Sequence, residues 1–419
     1  MKHLIIGNGP AGVIGAETIR KLKPQDTIMM IGDEPSPPYS RMAIPYLLMG
    51  NIGEAGTHLR KDGEHFRRLR IDLLTGHGER VDAAKRAVRM RSGDWIDYDR
   101  LLIANGSSPV KPPIEGIELP GVLPCWTLEH ARQIIERAKP GSRVLQMGAG
   151  FIGCIIMEAL AARGVKLTVV EMGNRMVPRM MTEIAGDMIR QWCVSKGIAV
   201  HVSTRVEALT SLPKGKGIAA RLSNGSTIET DLVISATGVK PNIAFLAGSG
   251  IATDEGVLVD GRMQTNVPGV YAAGDVSQSI DFSTGKQTVN AVQPVAADEA
   301  RIAASNMAGH PSVTRGSLAM NVLDTLGLIA TSFGQWWGVE GGEGGAHAEL
   351  VDRERFRYLS LEFKDDVLVG ATSLGLTDHV GVLRGLIQTR ARLGPWKARL
   401  LADPTRIMDA YLACAQAAA

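Results

Sequence analysis

The stretch "HLIIGNGPAGVIGAETIRKL", residues 3–22, decides the fold class of this chain. It reads as a short apolar strand, a Gly-x-Gly-x-x-Gly turn and a segment with helical periodicity. In such a turn the first glycine permits a tight bend, the second lets backbone approach a pyrophosphate, and the third lets helix and strand pack closely. A second strand then leads into Asp33 and Glu34, and an acid at this place can accept hydrogen bonds from a ribose hydroxyl. The stretch therefore predicts a dinucleotide-binding βαβ unit.

The same plan occurs a second time. "RVLQMGAGFIGCIIMEALAARG", residues 143–164, repeats strand, glycine turn and helical pattern, and the following strand "LTVVE" ends at Glu171, 23 residues after Gly148. A single glycine pattern is weak evidence, because purely structural strand–helix junctions also use glycine. Two complete copies in the right order predict two dinucleotide-binding modules in one chain.

Three further segments support a duplicated nucleotide-binding plan. "YDRLLIANGSSP" (98–109) and "TDLVISATGVKPN" (230–242) each run an apolar strand into a turn of small residues and glycine, where a strand end can approach a nucleotide closely. Either one alone could be an ordinary exit from strand to loop. "TNVPGVYAAGDV" (265–276) delivers Asp275 to the start of the next segment.

Together these segments resemble the FAD-dependent pyridine nucleotide–disulfide oxidoreductase superfamily. The nearest branch is that of NADH-dependent ferredoxin and rubredoxin reductases, with the flavin part of assimilatory nitrite reductase. The resemblance is strong to about residue 312 and weaker beyond it. It implies an α/β fold with two Rossmann-type, three-layer dinucleotide-binding domains of the glutathione-reductase kind and a C-terminal α+β interface or dimerisation domain. The implied domains are FAD-binding residues 1–110 and 240–312, NAD(P)H-binding residues 111–239, and interface residues 313–419.

The resemblance also assigns the nucleotides, FAD to the first module and the nicotinamide nucleotide to the second. Asp275 would bond the ribityl chain, Arg41 would approach FAD, and either Asp33 or Glu34 would serve as the acid of the first module. The residues implied for FAD are Gly7, Gly9, Pro10, Ala11, Gly12, Asp33, Glu34, Arg41, Val81, Ala104, Asn105, Gly106, Gly274 and Asp275. The residues implied for the nicotinamide nucleotide are Gly148, Gly150, Phe151, Ile152, Gly153, Glu171, Thr237 and Gly238. No side chain receives a catalytic role, because the flavin carries the chemistry, and no metal site is predicted.

Glu171 bears on which nicotinamide nucleotide is used. A carboxylate at the end of this strand suits a free 2′-hydroxyl and repels a 2′-phosphate. Arg175, four residues further along, could complicate that choice. We therefore expect NADH rather than NADPH.

The segment "PPYSRMAIPYLLMG", residues 37–50, departs from the family. Many members place a redox cysteine in this neighbourhood, where this chain has Met42. Three other positions differ from the branch: Tyr46 replaces a lysine, Ile155 a glutamate near the nicotinamide, and Gln293 a tryptophan. Without a cysteine relay, electrons must pass directly from reduced FAD to an external acceptor. A flavin can release electrons singly, so we expect an iron–sulfur carrier of the ferredoxin or rubredoxin type.

Two alternatives stay open at this point. One is an NADH oxidase or quinone reductase that passes two electrons to oxygen or a small molecule. The other, from a different class, is a flavin-bearing docking or structural subunit of a larger electron-transfer complex. The sequence leaves open the acceptor, the direction of electron flow, and whether the protein is a homodimer or a subunit of a larger complex.

Composition excludes several other classes. The net charge of +3 gives no general attraction to nucleic acid or to an anionic membrane. The four cysteines are widely and irregularly spaced, which disfavours zinc, an iron–sulfur cluster and a disulfide framework. No signal peptide and no apolar run of about 20 residues is present, so we expect a cytoplasmic protein.

The C-terminal hundred residues predict a small α+β domain. "FRYLSLEFKDDVLVGATSLG", residues 356–375, reads as two alternating strands joined by a turn. The residues from 380 onward read as two helical stretches broken at Gly394-Pro395, and residues 338–349 read as a loop. Several arginines make this end locally basic, which could steer an acidic carrier, although a solvated helix face explains them more simply.

Overall fold

A computed structural model describes residues 1–215, 217–339 and 342–417 of the chain. It divides into two compact units. Unit 1 comprises Met1–Pro109, Trp126–Leu128 and Val239–Ser317, and unit 2 comprises Val110–Cys125, Glu129–Gly238 and Leu318–Ala419. The domain boundaries that the resemblance implies, near residues 110, 239 and 312, stay predictions.

The strands and helices follow in chain order. The strands are β1 (Lys2–Ile6), β2 (Thr27–Gly32), β3 (Ile71–Thr75), β4 (Gly78–Asp82), β5 (Ala87–Met90), β6 (Trp95–Asp97), β7 (Arg100–Ile103), β8 (Ser107–Pro109), β9 (Val122–Pro124), β10 (Arg143–Met147), β11 (Lys166–Val170), β12 (Ala199–His201), β13 (Val206–Ser211), β14 (Ile218–Leu222), β15 (Thr227–Thr230), β16 (Leu232–Ser235), β17 (Val239–Pro241), β18 (Val257–Leu258), β19 (Val270–Ala272), β20 (Ser277–Ile280), β21 (Gln287–Thr288), β22 (Met320–Thr325), β23 (Leu328–Gly334), β24 (Gly345–Asp352), β25 (Arg357–Lys364) and β26 (Val367–Leu374). The helices are α1 (Pro10–Leu22), α2 (Ile44–Met49), α3 (His65–Arg68), α4 (Leu128–Arg137), α5 (Phe151–Ala162), α6 (Glu183–Ser195), α7 (Gln293–Met307), α8 (Val380–Thr389), α9 (Pro395–Ala402) and α10 (Ile407–Ala417).

Unit 1 is built around a parallel sheet of order β19-β7-β1-β2-β3. Its central strands are continuous apolar runs, as expected for parallel strands that are covered on both faces. Helices α1 and α7 pack against each other, and the small antiparallel sheet β4-β5-β6 contributes Val81 and Val88 to the same hydrophobic core. The result is the three-layer Rossmann-type arrangement that the sequence predicts.

Unit 2 repeats this topology in its first half. Its parallel sheet has the order β12-β11-β10-β16-β9, so β10 and β11 stand where β1 and β2 stand in unit 1. The antiparallel sheet β13-β14-β15 again shares a core with the parallel sheet, through residues such as Leu145 and Leu222. The two sheets differ in where one outer strand comes from in the chain. In unit 2 this strand, β9, precedes the glycine turn, whereas in unit 1 the corresponding strand, β19, lies more than 160 residues after β7.

The C-terminal segment belongs to the same unit and is held to it by polar contacts. Its antiparallel sheet has the order β22-β23-β26-β25-β24, with α8 packed on β23 and β26. The indole of Trp192 on α6 donates to the carbonyl oxygen of Thr325 at 3.0 Å. The hydroxyl of Thr182 likewise lies 2.9 Å from that of Tyr358.

Three expectations for this segment need correction. The chain beyond residue 380 forms three helices rather than two, because Asp403, which precedes Pro404, is extended (φ −147°, ψ 97°) as the proline ring requires. The predicted loop 338–349 ends early, since β24 begins at Gly345, and Glu340 and Gly341 lie outside the described residues. Strands β25 and β26 are present, but β25 is buried on both faces rather than alternately.

Within the described part of the chain, no helix combines the length and apolar character needed to cross a membrane.

Candidate functional site

The first glycine turn has the geometry of a phosphate cradle. Gly7 has φ +108°, and a Cβ there would lie 2.1 Å from the carbonyl oxygen of Ala104. A Cβ on Gly12 would lie 1.9 Å from the carbonyl oxygen of Gly7. At Gly9, by contrast, no atom of the described residues lies within 4 Å of the Cβ position. Two glycines therefore allow close packing inside the turn, and the middle one leaves its outer side open.

Helix α1 presents its N-terminus to this open side. Gly9 is its N-cap and Pro10 its first residue, and in the described chain no side chain caps the helix. The free N–H groups and the positive end of the helix dipole attract a negatively charged phosphate. This end of unit 1 is therefore suited to a dinucleotide pyrophosphate.

The second glycine turn reproduces the first in unit 2. Gly148 has φ +98°, with its Cβ position 2.3 Å from the carbonyl oxygen of Ala236, and that of Gly153 is 2.5 Å from the carbonyl oxygen of Gly148. Gly150 again has open space in the described structure, and α5 begins beside it with Phe151 and Ile152. Each first glycine donates its N–H at 2.8 Å to a carbonyl oxygen near the end of the neighbouring strand, that of Ile31 or of Val170. Both modules thus keep the same cradle.

The two acids that follow β2, Asp33 and Glu34, have different surroundings. Asp33 is exposed, with its carboxylate 3.5 Å from the His77 ring. Glu34 accepts a hydrogen bond from the Tyr39 hydroxyl at 2.6 Å and from the Arg41 guanidinium at 2.8 Å. Glu34 is therefore the acid that shares a cluster with Arg41.

Arg41 is fixed by several contacts. Besides Glu34, it donates to the carbonyl oxygen of Trp126 at 2.6 Å, and its guanidinium stands 5.2 Å from the centre of the Trp126 ring. Burial raises the pKa of Tyr39 well above its usual value, so the phenol stays protonated and donates to Glu34. The cluster holds Arg41 in one orientation.

Asp275 lies beside the first module, as the resemblance implies. It follows Gly274, whose Cβ position is 3.2 Å from the Cβ of Ala11 and 3.4 Å from that of Ala296, so this turn fits closely between α1 and α7. Ser107 donates its hydroxyl to the Asp275 carboxylate at 2.9 Å. Burial raises the pKa of Asp275 above its usual value. The glycine turn, Ser107 and Asp275 are thus gathered at one edge of the sheet of unit 1.

Asn105 has a buried side-chain oxygen that accepts no hydrogen bond from the described residues. Its side-chain amide donates to the carbonyl oxygen of Asn242 at 3.0 Å, and the Asn242 amide donates to the carbonyl oxygen of Asn105 at 2.9 Å. The side-chain oxygen of Asn105 is buried without a hydrogen-bond partner in the described chain. A buried acceptor of this kind normally has a donor. Together with the open side of Gly9, this unpartnered oxygen is compatible with a polar nucleotide such as FAD.

Two other residues predicted to bind FAD, Val81 and Gly106, have no side chain that is available for a contact. Val81 is fully buried in β4, so its side chain belongs to the core. Gly106 has φ +64°, and its Cβ position has no neighbour within 4 Å in the described chain. Asn242 was not predicted as a site residue. Its reciprocal bonds with Asn105 depend on a pairing across 137 residues that sequence spacing does not reveal.

Glu171 lies against the second glycine turn. It is buried, and its two carboxylate oxygens accept hydrogen bonds from the backbone N–H groups of Ala149 at 2.6 Å and Gly173 at 2.7 Å. Arg175 is occupied within its own loop: its guanidinium donates to the carbonyl oxygens of Met181 at 2.9 Å and Pro178 at 3.2 Å. A 2′-phosphate would meet the carboxylate without a free arginine from this loop position. The arrangement favours NADH.

A strained residue supports the same turn. Val177 has φ +50°, which is unusual for a β-branched residue, and its N–H donates to the carbonyl oxygen of Ala149 at 2.8 Å. Thr237 and Gly238 follow the strand end that abuts Gly148. The Thr237 hydroxyl donates to the carbonyl oxygen of Val110 at 3.2 Å, and Gly238 has φ +108°. The nicotinamide assignment of these residues stays a prediction.

The cysteines are unsuited to redox relay. Cys125, Cys154 and Cys193 are buried, and burial raises the pKa of all three thiols, to about 12 for Cys125 and Cys193. Met42 is exposed and carries a thioether, which forms no disulfide. Among the described residues, no group of histidine, cysteine and acidic side chains is arranged to bind a metal.

Comparison with known proteins agrees with this geometry. A family model described as pyridine nucleotide-disulphide oxidoreductase matches residues 1–294. The chain belongs to this family. It is an NAD(P)H-dependent FAD oxidoreductase. The assignment of its two glycine turns to FAD and to the nicotinamide nucleotide stays a prediction.

Individual relatives of this oxidoreductase extend the comparison. The NADH-dependent phenylglyoxylate dehydrogenase subunit epsilon of Aromatoleum evansii is 32% identical over 410 residues, which cover 97% of this chain and 96% of the relative. An NADH oxidase of Methanocaldococcus jannaschii is 33% identical over 318 residues, 74% of this chain and 70% of the relative. Among solved structures, an NAD-dependent persulfide reductase from A. fulgidus superposes with a TM-score of 0.86 at 28% identity, covering 94% of this chain and 78% of that one.

Proposed function

We propose that this oxidoreductase exchanges electrons between NADH and an iron–sulfur carrier protein through FAD, without a cysteine relay. The observation that carries the proposal is that no cysteine lies near residue 42 and that three of the four thiols are buried. Met42 occupies the neighbourhood where relatives place a redox cysteine, and three of the four cysteines are buried with raised pKa values. Electrons that enter the protein must therefore leave to an external acceptor.

FAD would be held by the first glycine turn, Glu34, Asn105 and Asp275 of unit 1. When bound, this cofactor accepts a hydride and can give up electrons one at a time, which suits a one-electron carrier. The chain contributes binding and orientation. The N-terminus of α1 offers N–H groups to phosphate, and Asp275 offers an acceptor oxygen beside Ser107.

NADH would be held by the second glycine turn of unit 2. Glu171, fixed by two backbone N–H groups, presents a carboxylate to the ribose hydroxyls. Because Arg175 is bonded to its own loop, no cation from that position compensates a 2′-phosphate. We therefore propose NADH as the preferred nucleotide.

A second candidate function is supported by the relative from Aromatoleum evansii. That protein is named as a subunit of a dehydrogenase, and it matches this chain over nearly the full length of both, the C-terminal segment included. In this reading the iron–sulfur partner is another subunit of one complex rather than a free carrier. The two candidates share the flavin chemistry and differ in how the partner is held.

The decisive experiment is an anaerobic titration of the purified protein with NADH and then with NADPH, followed in the visible spectrum. We expect bleaching of the flavin bands by NADH at lower concentration than by NADPH. The reduced protein is then mixed separately with air, a quinone and a ferredoxin. Fastest reoxidation by ferredoxin supports the proposal, whereas fast reoxidation by air alone would replace it with an oxidase function.

The subunit candidate makes a different prediction in the same experiment. If the chain works only inside a complex, NADH barely bleaches the isolated flavoprotein, and an iron–sulfur protein co-purifies from the native source. Rapid bleaching of the isolated chain with no co-purifying partner would exclude this candidate.

A further inference from the structure

A buried carboxylate lies directly behind the turn that carries Asp275. Glu299, in the middle of α7, is only 5% exposed. One of its oxygens accepts the backbone N–H of Gly274 at 2.9 Å and lies 2.7 Å from the Ser277 hydroxyl. The other accepts the Ser279 hydroxyl at 2.7 Å. Three polar groups of the Gly274–Ser279 segment thus converge on one side chain.

This arrangement is a built feature rather than a surface pairing. Acidic residues are rarely buried unless they are paired, and each hydrogen bond here connects α7 to the segment that follows β19. Gly274 has φ +81° and fits between α1 and α7, and its N–H is hydrogen-bonded to Glu299. Glu299 therefore restrains the turn that carries Asp275.

We infer that Glu299 is a positioning residue for FAD: its carboxylate holds the Gly274–Asp275 turn in the orientation that FAD binding requires. Asp275 contacts FAD, whereas Glu299 does not contact FAD and acts by holding the turn that carries Asp275. This inference rests on the proposed function, because it assumes that FAD is bound by unit 1.

Two variants test whether the hydrogen bonds of Glu299, rather than the volume of its side chain, hold the turn. Glu299→Ala removes all three interactions and leaves the Gly274 N–H and the Ser279 hydroxyl without their buried acceptor, while the Ser277 hydroxyl retains the carbonyl oxygen of Gly274. Glu299→Gln has the same shape, and its amide oxygen can accept from Gly274 while its amide group donates to the Ser279 hydroxyl. The matched control is Asp298→Asn, the neighbouring acid on α7, whose side chain is 72% exposed and paired with Arg301.

The measurement is the dissociation constant for FAD on the flavin-free protein, from quenching of flavin fluorescence. NADH affinity is measured in parallel, because its proposed site belongs to the other unit. We expect Glu299→Ala to weaken FAD binding by about tenfold or more, Glu299→Gln to restore it to within about threefold, and Asp298→Asn to match the wild type. NADH affinity stays unchanged in every variant.

Folding defects are kept apart from the binding effect. Thermal melting of each flavin-free variant is recorded, and if Glu299→Ala fails to fold, Ser279→Ala takes its place, because it removes one donor and no charge. FAD affinity of the folded alanine variant within twofold of the wild type overturns the inference, as does a Gln variant as weak as the Ala variant. Failure of the wild-type protein to bind FAD would instead refute the proposed function.

Discussion

One oxygen of the Glu171 carboxylate lies 2.6 Å from the backbone nitrogen of Ala149, inside the second glycine turn. The acid that ends the second strand of the module is therefore hydrogen-bonded to the turn that would receive the pyrophosphate. The same turn is bonded from another side by Val177, whose N–H donates to the carbonyl oxygen of Ala149. A substitution at Glu171 should therefore change the charge beside the proposed ribose position. It should also remove hydrogen bonds that hold the glycine turn.

The first prediction concerns the choice of nucleotide. Glu171→Gln removes the negative charge, so a 2′-phosphate is no longer repelled. It also loses one of the two bonds to the N–H groups of Ala149 and Gly173, because the amide NH2 cannot accept. We expect the preference for NADH over NADPH, as a ratio of kcat/KM values, to fall by about tenfold or more, which corresponds to about 1.4 kcal/mol. The control is Glu229→Gln, an exposed acid of the same unit. An unchanged ratio would mean that another residue sets the preference.

The second prediction concerns Arg41. A lysine there keeps the charge but cannot reproduce the planar fork that reaches both Glu34 and the carbonyl oxygen of Trp126. We expect Arg41→Lys to lower the free energy of unfolding by about 1–2 kcal/mol and to weaken FAD binding. Urea unfolding and flavin titration provide the two measurements. Arg67→Lys serves as control because that side chain is 83% exposed, and equal effects of both substitutions would contradict the role given to Arg41.

The third prediction tests the absence of a cysteine relay. Three thiols are buried with raised pKa values, and only Cys414 is partly exposed. We expect an alkylating reagent to modify at most Cys414 in the native protein and to leave electron transfer from NADH to its acceptor intact. Mass spectrometry counts the modified thiols, and urea-unfolded protein shows the reaction of all four. Activity lost in step with alkylation of Cys125, Cys154 or Cys193 would show that a thiol takes part.

The fourth prediction concerns pH. Burial raises the pKa of Glu299 above its usual value of 4.5, and Asp275 beside it acts in the same direction. The folded protein thus binds this proton more tightly than the unfolded chain does. The resulting stability is fully present below about pH 4.5 and is lost as pH rises through the raised pKa.

Glu299→Gln does not titrate, so it lacks this loss. Urea unfolding at fixed FAD concentration, from pH 4 to pH 8, measures the difference in unfolding free energy between variant and wild type. We expect that difference to shift in favour of the variant as pH rises. A constant difference, or one that shifts toward the wild type, would show that ionisation of Glu299 does not cause a loss of stability as pH rises.

The sequence by itself determined the two nucleotide modules. Strand, glycine turn, helix and acid lie within about 30 residues of one another in each copy, so the whole pattern can be read locally. A Cβ on Gly12 or Gly153 would also violate a contact inside the same turn. Strands β25 and β26 were likewise readable, because they are joined by a short turn. The third C-terminal helix is not predicted, because only Gly394-Pro395 is interpreted as a break in the helical pattern, whereas Asp403-Pro404 ends a helix as well.

Only the tertiary structure decided the rest of the candidate site. It placed Glu34, and not Asp33, in a cluster with Tyr39 and Arg41, and it engaged Arg175 in hydrogen bonds within its own loop. It also brought Glu299 to the Gly274 turn, and Asn242 to Asn105 across 137 residues. These relationships depend on which side chains meet when distant segments are packed and buried together. Spacing along the chain carries no record of that, because burial and hydrogen-bond pairing are properties of the folded protein.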